Sequence, residues 1–144
     1  MMTRLIGYAL LSIMLSACRK ETPEEAPVIR LLDVNATTIM QFSDSLVINI
    51  EYEDANGDIG ETDPDKNALR IKDRRLTEAD LYFIRPLAPP GSNIRVKGVI
   101  SVKVRNTFLL GTGNTEITNF DIRLSDRAGH WSNSISTPEI TIKK

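Results

Sequence analysis

Leu46-Val47-Ile48-Asn49-Ile50-Glu51-Tyr52 is the stretch on which the fold turns. Every even position is apolar, and Asn49 and Glu51 alternate with them. A period of two sends successive side chains to opposite faces, so this is an antiparallel strand with one buried and one wet face. The same period recurs along the chain, and no sustained 3.6-residue apolar repeat follows Pro27. Val28 to Val34 reads as a strand, Ala68 to Asp73 as another, and Asp80 to Pro86 as a third that proline ends by removing a ladder N–H. From Ile94 to Val104, Ile94, Val96, Ile100, Val102 and Val104 share one face. Gly98 falls in their register and is expected to mark a bend or bulge. Arg95, Lys97, Ser101 and Lys103 form the other face.

Thr107 to Asn114 carries glycines and reads as no defined element. Phe120, Ile122 and Leu124 oppose Asp121 and Arg123. A last strand carries Ile135, Ile140 and Ile142, with its register broken at Pro138, which suggests an edge strand or bulge. About seven short alternating strands separated by turns predict an all-β fold, an antiparallel immunoglobulin- or fibronectin-III-like β-sandwich.

The chain has 144 residues, 41% of them hydrophobic, enough for one folded domain with appendages. A net charge of −1, with Lys and Arg spread along the sequence, gives no footprint for nucleic acid. The single cysteine, Cys18, excludes an intrachain disulfide. Near the N-terminus, Arg4 precedes the apolar run Leu5 to Leu15. That run is shorter than the ~20 residues of a membrane span and suits a signal peptide. It ends in Leu15-Ser16-Ala17-Cys18, which resembles a bacterial lipobox and implies cleavage before Cys18 and lipidation of it. The expected organisation is a signal peptide over 1–17, a lipidated cysteine and tether over 18–27, and the sandwich over 28–144. Several acyl chains suffice for stable anchoring without a membrane-spanning helix. In the tether, Lys20 followed by acidic residues resembles the surface-export signal of Bacteroidota lipoproteins. The outer membrane is the expected address, with the periplasmic face and the cell surface both open.

Immediately after Glu53 comes the densest run of oxygen donors, Asp54-Ala55-Asn56-Gly57-Asp58-Ile59-Gly60-Glu61-Thr62-Asp63-Pro64-Asp65. Ca²⁺ takes ~6–8 oxygens from carboxylates, amides, carbonyls and water. Asp54, Asn56 and Asp58 alternate as ligands do in a calcium loop, with the Gly60 carbonyl and Asp65 as further candidates. Ile59 stands where an EF-hand has glycine, and no helices flank the loop, so any cation here would be held by a sandwich loop. The competing expectation is a turn that solvates its own backbone. In a seven-stranded sandwich this loop and Ser125-Asp126-Arg127-Ala128-Gly129-His130 share a pole, so Asp126 either joins a cation site or caps its own turn.

Glu53 to Gly60, Ile71-Lys72-Asp73-Arg74-Arg75 and Ser125 to Asn133, behind a lipobox, together resemble small Bacteroidota lipoproteins with an immunoglobulin-like domain. Relative to that pattern, Ala55 and Asn56 replace a Gly and an Asp, and His130 replaces an Asn. The resemblance implies a class and an address, not an activity.

The function expected is a lipid-anchored cell-envelope binding or structural module, not an enzyme, with Ca²⁺ in the 54–65 loop as its candidate cofactor. Its partners would be the membrane, through the lipid, and an envelope protein or glycan. One alternative is a metal-independent adhesion or envelope-assembly module that binds through a sheet edge. Another is a glycan hydrolase using Glu51 and Asp54 as a carboxylate pair. Trp131 and Tyr52 are the candidate binding residues, Trp131 by stacking on a sugar, and the competing expectation for both is a packed or edge aromatic.

Overall fold

The computed structural model describes residues 25–144. The expected signal peptide, Cys18 and all but the end of the expected tether lie outside the described residues. Burial begins at Ala26, two residues before the expected start of the sandwich.

The described chain is all-β, with ten strands: β1 (Val28–Val34), β2 (Thr38–Met40), β3 (Leu46–Asp54), β4 (Leu69–Asp73), β5 (Asp80–Tyr82), β6 (Val96–Val104), β7 (Thr115–Thr118), β8 (Phe120–Leu124), β9 (Ile135–Ser136) and β10 (Ile140–Lys143). They form three sheets, ordered β1-β3-β6, β5-β4-β8-β9 and β2-β10-β7. The alternation read in the sequence is the alternation of burial. Leu46, Ile48, Ile50 and Tyr52 of β3 point inward, as do Leu69 and Ile71 of β4 and Phe120, Ile122 and Leu124 of β8. With Ile29, Ile39, Ile140 and Ile142 they make one continuous core.

Two expectations are corrected. Gly98 makes neither bend nor bulge, because β3 and β6 pair without a shift from Leu46↔Val104 to Asp54↔Val96. Gly98 sits opposite Tyr52, and a Cβ there would lie 2.6 Å from the Tyr52 hydroxyl, so the missing side chain is the space the tyrosine fills. The sheet's bulge lies instead in β1, between Leu31 and Asp33. The expected last strand is two strands in two sheets. β9 pairs with β8, whereas β10 pairs with β7 and, in parallel, with β2, so the break at Pro138 is a change of sheet.

The loop after β3 and the turn after β8 do share a pole. Ile59 and Asp126 form an antiparallel bridge, and the Arg127 amide donates to the Asp58 carbonyl at 3.1 Å.

Candidate functional site: an oxygen-lined loop pole

Strand parity explains how carboxylates come to be buried here. The inward positions of β3 continue through Tyr52 to Asp54, which is 1% exposed. Those of β8 continue past Leu124 to Asp126, which is 3% exposed, and those of β4 end on Asp73, at 8%. A buried carboxylate is strongly unfavourable unless paired and hydrogen-bonded, and the three differ in how this is met. Asp73 binds Arg75 at 2.6 Å and accepts from the Thr118 hydroxyl. Asp126 accepts from the His130 amide at 2.7 Å and faces its Nδ1 at 2.9 Å. Asp54 accepts the Asp58 amide on Oδ2, at 2.9 Å, with the Gly57 amide as a further backbone donor, and has no ion-pair partner among the described residues.

Asp54 Oδ1, Asn56 Oδ1 and Asp58 Oδ1 are all buried and without a hydrogen-bond partner. The Ser92 hydroxyl is a fourth such atom, and it lines one small cavity with Asn56, Asp58, Gly91, Asn93 and Arg127. Orphaned buried polar atoms are rare in folded proteins. Here three belong to alternate residues of one loop, and the fourth shares the cavity with two of them, Asn56 and Asp58. Burial pushes the Asp54 carboxyl above the usual range, the Asp58 and Gly57 amides oppose it, and the charges of Asp58 and Asp126 add to the rise. Asp58 is raised by burial and by Asp126, with Arg127 opposing.

The backbone is shaped to hold this pole. Gly57 and Gly60 have φ of +72° and +89°, where a side chain is strained. A Cβ on Gly57 would lie 2.3 Å from the Ile94 carbonyl oxygen, so the 54–58 loop and the segment leading into β6 pack backbone to backbone.

Not every expected residue joins the site. Asp65 is exposed in a separate turn, where its amide donates to Asp63. The Gly60 carbonyl accepts the Arg127 guanidinium at 3.0 Å, so this oxygen is already hydrogen-bonded. Asp126 lies at the pole, but both its oxygens serve His130. Tyr52 is a core aromatic at 8% exposure and offers no binding face. Trp131 is half-buried, with the Arg123 guanidinium 5.5 Å from its ring centre. Glu51 lies on the wet face of β3, paired with Arg30 and Lys97, whereas Asp54 points inward. Those two carboxylates therefore do not face a common substrate. Ser92 escaped the sequence reading because Pro89-Pro90-Gly91-Ser92 carries only a turn signal, and β4 and β5 separate it from Asp58 along the chain.

Among the described residues, no three His, Cys, Asp or Glu side chains are placed to hold a metal ion by themselves. A fifth orphaned atom, the Thr107 hydroxyl, belongs to neither this loop nor this cavity; the four at the pole are two carboxylates, an amide and a hydroxyl, so a cation here would complete its shell with water and backbone carbonyls. That is a mixed oxygen shell of the kind Ca²⁺ accepts.

No protein-family model, curated protein or solved structure matches the chain.

Proposed function

We propose that this is a lipid-anchored, non-enzymatic binding or structural module of a cell envelope, whose loop pole is fixed by a Ca²⁺ ion on Asp54, Asn56, Asp58 and Ser92. The strand orders β1-β3-β6 and β5-β4-β8-β9 support a fibronectin-III-like pairing of a three-stranded with a four-stranded sheet. The observation that carries the cation is Asp54, a carboxylate in a core-facing register with an orphaned oxygen, its pKa raised by burial and by the charges of Asp58 and Asp126. A divalent cation would supply the missing partner for all four oxygens and lock the 54–60 loop against the 88–94 segment. Two carboxylates suit the weak range of extracellular calcium modules, a Kd of ~10⁻⁴–10⁻³ M.

Calorimetric titration with CaCl₂ tests the assignment. The expected result is one site per chain, weakened about tenfold or more by Asp58→Ala through loss of a charged ligand. Equal affinity of the variant and the unaltered protein would remove Asp58 from the site and, with it, the proposal.

A further inference from the structure

We propose that the free edge of β6 is the docking surface of the domain, and that its partner is an extended, acidic strand of another protein. The inference stands independently of the cation. β6 pairs with β3 along all nine of its residues without interruption, and no described strand covers its other edge. Antiparallel pairing on one side leaves alternate N–H and C=O groups of such a strand pointing outward, ready for another strand. The remaining sheet edges are blunted. β1 is bulged at Leu31–Asp33; β2 and β5 have three residues each, β7 has four and β9 two. β6 is the long, straight edge.

The side chains along it specify the partner. Val99, at the middle of the strand, is 56% exposed. Arg95 and Lys97 are paired with Glu53 and Glu51. Lys103 and Arg105 make no ion pair among the described residues, and they line a groove of about 420 Å³ with Asp80, Leu81 and Tyr82 of β5. A strand laid along β6 would place alternate carboxylates against Lys103 and Arg105 and apolar side chains toward Leu81. A second copy of this chain fits poorly. Antiparallel pairing of β6 with itself, centred on Ile100, would set Lys97 opposite Lys103, and like charges directly opposed are destabilising. The ordinary role of edge lysines is to repel other strands, so the test must separate attraction from repulsion.

The probe is a synthetic peptide of alternating valine and glutamate, matched to β6 at nine residues, compared with a valine–lysine peptide on the full chain in detergent micelles. Hydrogen exchange is read at the amides of Val96 to Val104. The expected result is slowed exchange at every second amide with the glutamate peptide and none with the lysine peptide. Charge reversal at both Lys103→Glu and Arg105→Glu is expected to weaken the glutamate peptide about tenfold or more, leaving the melting midpoint unchanged. Three results would each overturn the proposal: unchanged exchange along β6, equal binding of the two peptides, or protection that grows with protein concentration alone.

Discussion

Asp73→Ala is expected to destabilise the domain by about 3 kcal/mol, seen as a fall of roughly 10 °C in the thermal midpoint. Asp73 is the inward-facing end of β4 and carries a dense set of bonds. It accepts from the Arg75 backbone amide, from Arg75 Nε and Nη2, and from the Thr118 hydroxyl. Arg75, itself 13% exposed, continues to the Phe108 carbonyl at 3.0 Å and to Glu116. The cluster thus ties β4 to β7 and to the loop before β7, joining two sheets. Removing Asp73 strands a largely buried guanidinium on its weaker contacts, which is why breaking such a pair is far worse than never having built it. Asp73→Leu combined with Arg75→Met should recover most of the loss. Burial pushes the Asp73 carboxyl up, but Arg75 and Thr118 outweigh it and hold it below the usual range. A depressed carboxylate contributes stability that is present above its unfolded pKa and lost as pH falls through the folded value. Part of the acid sensitivity of the domain should therefore vanish in Asp73→Ala. Urea melts across pH 3–7 check both points, and a change below about 1 kcal/mol would mean that the cluster is solvated.

Gly60→Ala is expected to be comparably severe, about 3 kcal/mol by urea unfolding. At φ +89° an alanine is strained, and its Cβ would lie 2.3 Å from the Arg85 carbonyl oxygen and 2.6 Å from its carbon. Neither neighbour can yield cheaply. The Glu61 amide donates to the Ile84 carbonyl and the Leu87 amide to Ile59, clamping the two segments together. Gly91→Ala is the control. It has a similar φ of +80° with open space around the added methyl, so strain alone should appear there, at about 1 kcal/mol. Equal losses at Gly60 and Gly91 would show that close packing at the pole contributes nothing.

The sheet structure was legible because β3, β4, β6 and β8 announce a period of two over five to nine residues. β2 and β7 were not, being three and four residues long and held only through β10. At Pro138 the broken register was visible, but whether it meant a bulge or a change of sheet depends on partners that local pattern does not encode. Gly98 shows the same limit: its purpose is Tyr52, on another strand. At the pole, the alternation of Asp54, Asn56 and Asp58 was plain. So, in principle, was the burial of Asp54 and Asp126, since both continue the inward parity of their strands. Ser92, and the diversion of the Gly60 carbonyl to Arg127, arise from contacts across the pole and have no local signature.

The most direct test of a cation at this pole is the unfolding midpoint of residues 19–144 in EDTA and in millimolar Ca²⁺, for the unaltered sequence and for Asp54→Asn. Asp54 and Asp58 have raised pKa values, so without a cation their charged forms weaken the fold, and stability falls as pH rises through their folded values. At pH 7, Ca²⁺ should therefore raise the midpoint, by roughly 2.7 kcal/mol at 100-fold over its Kd, and the gain should shrink as pH falls and protons compete. Asp54→Asn, which removes a charge and keeps an acceptor for the Asp58 amide, should be more stable than the unaltered protein in EDTA and respond little to Ca²⁺. A midpoint indifferent to Ca²⁺ at pH 7, with Asp54→Asn no more stable in EDTA, would contradict the account and leave the pole an elaborate turn.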